Sequence, residues 1–170
     1  MRNDGSGLEN FVFELYSDLG YGDVIKDYRI KKSNGTENAH GQIDLTYKHL
    51  FLRRYVECKY RTNSKVNFDD YSKFETTLKT FNIPLYLGEI ITNSYFDDKV
   101  KLRAKETKIK LIDRDELIRL NGLRNSGWRI AVMAYRAMNI FDTKGINTAT
   151  DYLLTRNLSI DKQIEKYAKK

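Results

Sequence analysis

The chain holds a single cysteine, Cys58, among 170 residues. One cysteine closes no intrachain disulfide, and no cysteine or histidine accompanies it at zinc-ligand spacing. A disulfide scaffold, a structural zinc site and dithiol redox chemistry are therefore excluded. Apolar runs are short as well: none approaches the roughly 20 residues needed to cross a bilayer. Met1-Arg2-Asn3-Asp4-Gly5-Ser6 lacks the apolar stretch of a signal peptide, so a cytoplasmic protein with no membrane partner is expected. Proline occurs once, at Pro84, where a helical pattern gives way to a strand pattern. Internal repeats and low-complexity segments are absent.

What is plentiful is positive charge. Thirty Lys and Arg against 23 Asp and Glu give a formal charge of +7 and a pI near 9.3, a balance that favours polyanionic partners. Arg53-Arg54-Tyr55, Lys59-Tyr60-Arg61 and Lys99-Val100-Lys101-Leu102-Arg103 interleave cations with side chains able to reach phosphates or stack on bases. A solvated basic surface with half-buried tyrosines explains any one of these runs equally well.

Leu8, Phe11, Val12, Leu15 and Leu19 recur at helical spacing and Gly20-Tyr21-Gly22 supplies a stop, which predicts an opening amphipathic helix. Residues 24–30 read as a strand and 33–38 as a polar loop. Two further strands follow, one through Gln42-Ile43-Asp44-Leu45 and one through Tyr55-Val56-Glu57-Cys58-Lys59-Tyr60, joined by a connection short enough for an antiparallel hairpin. Tyr71, Phe74, Leu78 and Phe81 mark a helix, 85–92 a strand, 97–106 a helix and 109–112 a strand. Asp113-Arg114-Asp115-Glu116 starts a short helix ending near Gly122. The succession predicts an α/β fold, a mixed central sheet flanked by helices over residues 1–122. Residues 123–170 are expected to form a helical extension, with one stripe of Trp128, Ala131, Val132, Tyr135 and Met138 and another of Ile160, Ile164 and Tyr167. That extension could add core, join two protomers or cover a substrate groove; extra core is the simplest reading.

The chemistry concentrates in the hairpin. Strand alternation puts Glu57 and Lys59 on one face and Val56, Cys58 and Tyr60 on the other. If the strand carrying Asp44 pairs beside them, two carboxylates and an ammonium converge, as an oxygen-ligated divalent cation and a water nucleophile require. Asp44 and Glu57 offer hard oxygens suited to Mg²⁺ or Mn²⁺, and the Cys58 carbonyl offers a third, while the Cys58 thiol is aimed into the core. Lys59 could orient the water, help to remove its proton, or neutralise charge on a phosphate; a simple ion pair with Glu57 is its plain alternative. Gln42, two residues before Asp44, shares its face and could touch the site. Arg61, Lys65 and Lys73 follow the second strand and, with Lys59, could contact a nucleic-acid backbone.

The order Glu9, Asp44, Glu57-Cys58-Lys59 resembles the PD-(D/E)xK nuclease superfamily and, within it, the Mrr-like restriction endonuclease family. The resemblance is carried by Gly7-Leu8-Glu9 ahead of Leu19-Gly20-Tyr21, and by Gly41-Gln42-Ile43-Asp44-Leu45 ahead of Val56-Glu57-Cys58-Lys59-Tyr60. Ile91-Thr92-Asn93-Ser94-Tyr95-Phe96, continuing to Ile109-Lys110-Leu111-Ile112-Asp113-Arg114-Asp115-Glu116-Leu117, completes it. It implies a restriction-endonuclease-like core, a catalytic set of Asp44, Glu57, Lys59, Glu9 and Gln42, and a Mg²⁺ or Mn²⁺ site at Asp44, Glu57, Cys58 and Glu9. Glu9 resembles the family's helix carboxylate, with Glu14 as its competitor. Two positions depart from the pattern: His40 stands where the family often has an acid, and Glu57 where it often has glutamine. The implied function is metal-dependent phosphodiester hydrolysis, foremost as a DNA endonuclease acting as a homodimer or within a larger complex. The Trp128 to Met138 stripe is the candidate self-association face. A nuclease acting on RNA, and a nucleic-acid-binding module or assembly subunit without its own turnover, are the alternatives.

Overall fold

In the computed structural model, residues 5–34 and 37–169 are described, with side chains described outside 31–40. The helix predicted first is α1, Ser6–Asp18, whose Leu8, Phe11, Val12 and Leu15 are wholly buried. It ends where Gly20 adopts φ 79°, and a side chain there would also strike the Trp128 indole. Three antiparallel strands follow: β1, Gly22–Asn34; β2, Glu37–His49; and β3, Leu52–Lys59. Of the loop expected over 33–38, residues 33–34 and 37–38 belong to strands and 35–36 lie outside the described residues; β1 and β2 are both 13 residues long.

Helix α2, Phe68–Thr80, opens on a capping box in which Asn67 and Asp70 satisfy each other's backbone amides. The segment expected as one strand over 85–92 divides: Pro84 begins a 3₁₀ turn, Leu85–Leu87, and only Gly88–Thr92 is strand β4. Helix α3, Asp98–Thr107, leads to β5, Lys110–Ile112. Asp113 then accepts the Glu116 N–H at 3.1 Å and starts α4, Arg114–Leu123.

The strands lie in the order β1-β2-β3-β4-β5, antiparallel across the first three and parallel across the last three, so the sheet is mixed as expected. One of its faces packs on α1 and α4 through Leu8, Val12, Leu45, Val56, Ile91 and Leu117. The other packs on α2 and α3 through Phe74, Leu78, Ile90 and Val100.

After α4 come α5, Arg129–Lys144; α6, Ile146–Thr155; and α7, Ile160–Tyr167. Helix α7 continues the α1-side core through Ile160, Ile164 and Tyr167. Helix α5 differs from the extra-core reading: Trp128, Tyr135 and Met138 are 59%, 67% and 65% exposed, and Ala137 is its one buried residue among those described. Charge holds it instead. The fully buried Asp18 carboxylate accepts from Arg124 Nη1 at 3.1 Å and from Arg156 Nε at 2.9 Å, and also from Arg136 and Tyr152. Glu14 accepts from Arg136 at 2.9 Å and from Arg156 at 2.8 Å. Arg156 lies 3.4 Å over the Tyr152 ring. Carboxylates on one end of α1 thereby clamp three helices by charge-assisted bonds.

Candidate active site

Two features of the sheet meet at Asp44. The β2–β3 ladder ends at Leu45↔Val56, and the next amide on that edge of β3, Cys58 N–H, donates to Asp44 Oδ2 at 2.7 Å. The carboxylate thus closes the edge from which β2 departs. An extended residue turns its N–H and C=O toward the same neighbour, so the Cys58 carbonyl also faces this opening. Lys59 faces the other way, its carbonyl accepting from Thr92 Oγ1 on β4 at 2.7 Å. The Cys58 side chain is 7% exposed, within the α1-side core, and burial pushes its thiol well above the ordinary range. Only its backbone is available to the site.

Glu57 and Lys59 share a face, and Lys59 Nζ donates to Glu57 Oε1 at 2.5 Å. Burial pulls the Lys59 ammonium down, but Glu57, backed by Asp44 and Asp70, outweighs it and holds the pKa above its ordinary value. The side chain is therefore a cation at neutral pH. Asp44 behaves oppositely. Burial first, then the Glu57 charge, with Glu9 adding and the Cys58 amide and Lys59 opposing, raises its carboxyl from 3.8 to about 7. Glu9 lies in the first turn of α1 with its carboxylate over Gly5, and the helix dipole favours an acid there. Glu14, by contrast, belongs to the arginine cluster at the far end of α1. Asp44, Glu57, Lys59 and Glu9 are thus electrostatic neighbours.

The other predicted residues are placed differently. Gln42 is exposed and donates to Asp27 Oδ1 at 3.1 Å, so its amide engages β1. Arg61 is committed to Asp70 and to the Tyr60 carbonyl. Lys65 and Lys73 are exposed. The side chain of His40 lies outside the described residues.

A residue without a role in the sequence reading emerges at the end of β4. Asn93 brackets the Arg61 backbone, accepting its N–H at 2.8 Å and donating to its carbonyl at 2.9 Å. Ser94 Oγ donates to the Ser64 carbonyl at 2.8 Å, and Arg114 reaches the Asn93 carbonyl at 3.2 Å. These bonds pin the chain just after Lys59 onto β4. Their only sequence signal was the polar run Thr92-Asn93-Ser94 closing an apolar strand.

The donor set, the carboxylate oxygens of Asp44, Glu57 and Glu9 with a backbone carbonyl beside them, suits a hard divalent cation. Among the described residues, no three of His, Cys, Asp or Glu stand close enough to enclose an ion.

The model of the restriction endonuclease family, Mrr catalytic domain, matches residues 1–121. The chain belongs to the Mrr restriction endonuclease family. This match covers all five strands and most of the residues up to the end of α4. No curated protein matches this member of the family. Among solved structures it is similar to AF1548, a protein of unknown function, at 14% identity and a TM-score of 0.59 over 98% of this chain and 96% of that one. It is also similar to VC1899 from Vibrio cholerae, at 17% identity and a TM-score of 0.51 over 74% of this chain and 33% of that one. At these identities the likeness speaks to the fold, and with AF1548 it runs through the C-terminal helices. No described helix of the Mrr-family chain is long and apolar enough to cross a membrane.

Proposed function

We propose that this chain is a Mg²⁺- or Mn²⁺-dependent nuclease that cleaves DNA endonucleolytically inside the cell. The observation that carries the reading is Asp44, anchored on the Cys58 amide, its carboxyl raised by burial and then by the Glu57 charge, beside the Glu57–Lys59 pair. A divalent ion there would supply charge neutralisation and an acidified water. Asp44, Glu57, Glu9 and the Cys58 carbonyl would hold the ion. Lys59, a cation beside Glu57, would donate to the phosphate oxygen on which charge accumulates and so stabilise it. Lys65 and Lys73 lie along the continuing backbone, and Gln42 and Arg61 hold neighbouring elements in place.

Self-association belongs to the same reading. Trp128, Ile130, Tyr135, Met138 and Phe141 are more than half exposed on or next to α5, an apolar face suited to a second protomer. Gel filtration should return a dimer that Trp128→Glu with Met138→Glu converts to monomer; a monomer for the parent protein at high concentration contradicts it.

The test of the function is a divalent-ion panel on supercoiled plasmid, linear duplex, single-stranded DNA and RNA. Products that need Mg²⁺ or Mn²⁺ and vanish in Asp44→Asn are expected on duplex DNA. Cleavage confined to RNA would move the substrate, and metal-insensitive binding without products would leave a nucleic-acid-binding module.

A further inference from the structure

Helix α1 buries Leu8, Phe11, Val12 and Leu15 in the core, and Asn10, Phe13 and Glu14 of the same helix line a cavity of about 520 Å³. Its other walls are Lys26 of β1, Lys144 in the last turn of α5 and Tyr167 at the end of α7. That volume lies within the roughly 300–1,000 Å³ of small-molecule sites. The charge of the walls is unbalanced. Glu14, their one acid, is already neutralised, since its Oε2 accepts from Arg136 at 2.9 Å and from Arg156 at 2.8 Å. Lys26 is half-buried, yet its ammonium donates to the neutral amide oxygen of Asn10, and among the described residues neither Lys26 nor Lys144 is paired with an acid. Asn10 is engaged at both ends, its amide nitrogen donating to the Tyr167 carbonyl at 3.2 Å. An ammonium partly withdrawn from water and bonded only to a neutral group keeps a charge that a bound anion would neutralise. Phe13 is only partly buried against the α1-side core, which leaves apolar ring surface in the same cavity.

We infer that this cavity is a binding site for a nucleoside monophosphate, with Lys26 and Lys144 on the phosphate and Phe13 against the base. The inference goes beyond the nuclease reading and does not depend on it: no wall residue belongs to the Asp44 site, and no metal takes part. A terminal phosphate carries close to two negative charges at neutral pH, which two ammoniums match. Stacking on an aromatic ring is open to every base, so the walls select the class of ligand rather than one base. Because the walls come from α1, β1, α5 and α7, an occupant ties the C-terminal helices to the sheet.

The test is isothermal titration calorimetry of the full chain with AMP, CMP, GMP and UMP, and with inorganic phosphate, ribose 5-phosphate and adenosine as partial ligands. EDTA in the buffer prevents a metal from bridging a phosphate to Asp44. At least one nucleotide should bind once per chain with a Kd below about 1 mM, and at least about tenfold more tightly than any partial ligand. Lys26→Gln and Lys144→Gln should each weaken that nucleotide by about tenfold, the usual worth of a charge-assisted bond. Phe13→Leu, which keeps an apolar side chain, should bring the nucleotide down to the affinity of ribose 5-phosphate. Asp44→Asn should bind as the parent does. Lys144 is exposed, so its variant keeps the fold whatever the Lys26 variant does. No binding of any of these nucleotides at about 1 mM, an affinity no better than that of inorganic phosphate, or an unchanged affinity in Lys144→Gln overturns the inference. Nucleotide binding that disappears in Asp44→Asn would put the ligand at the active site and overturn it equally.

Discussion

Replacing Asp44 with asparagine should make the metal-free protein more stable at alkaline pH while abolishing its response to metal. The carboxyl titrates at about 7 in the fold against 3.8 for an ordinary aspartate, because burial and the Glu57 and Glu9 charges resist its ionisation. A displacement of that size corresponds to on the order of 4 kcal/mol. Between about pH 4 and about pH 7 the folded protein holds a proton that the unfolded chain has released, so stability falls as pH rises through that window. Above it the full cost persists. Asparagine keeps an oxygen for the Cys58 N–H but forgoes the charge assistance of that bond, roughly 1 kcal/mol. The net gain at about pH 8 is then about 3 kcal/mol, or roughly 6–12 °C in Tm for a chain of this size. At about pH 4.5 the two proteins should melt nearly together. Differential scanning calorimetry in EDTA reads this directly. Mn²⁺ at a hundred times its Kd should restore about 2.7 kcal/mol to the parent at alkaline pH and nothing to the variant. An Asp44→Asn protein that is destabilised at alkaline pH, or that Mn²⁺ stabilises as much as the parent, would refute the reasoning.

Three further outcomes follow from single contacts. Lys59→Ala should lower the cleavage rate by at least about 100-fold while leaving Mn²⁺ affinity equal or tighter, since Glu57 loses its competing partner; unchanged cleavage contradicts the stabilising role. Asp18→Ala strips the carboxylate from Arg124, Arg136 and Arg156 and should cost about 3–5 kcal/mol in urea unfolding, with α5 and α6 released first in hydrogen exchange; a loss below about 1 kcal/mol argues against the clamp. Asn93→Ala removes both bonds to the Arg61 backbone and should cost about 1–3 kcal/mol. Its cleavage rate should fall further than stability alone explains, because Lys59 sits on the strand that Asn93 pins; a parent-like rate would confine Asn93 to a structural part.

Which parts were legible in the sequence follows from how local their causes are. Helix α1 and the Glu57–Lys59 face are set by side-chain period, and Asp44 could be brought to them because a short hairpin leaves the pairing of β2 and β3 few registers. The parallel strands β4 and β5 were visible as short apolar segments between capped helices. The full length of β1 and β2 was not, because 33–38 carries turn chemistry while the strand ends are fixed by mutual pairing. Nor were the ion pairs that engage Glu14, the competitor to the favoured Glu9, since Arg136 and Arg156 lie more than a hundred residues away in the chain. The stripe through Trp128, Tyr135 and Met138 has the spacing of a core helix, yet ion pairs to Glu14 and Asp18 leave that face exposed. Asn93 was seen within a motif, but its bracket on Arg61 depends on two strands meeting.

The most direct test of the central claim is the initial rate of supercoiled plasmid nicking in Mn²⁺, measured for the parent and for Asp44→Asn in parallel. A rate that requires the ion and disappears in the variant, although the variant is at least as thermostable, is the predicted result. Nicking that persists in Asp44→Asn at the parent rate would contradict an active site built on the Asp44, Glu57 and Lys59 neighbourhood.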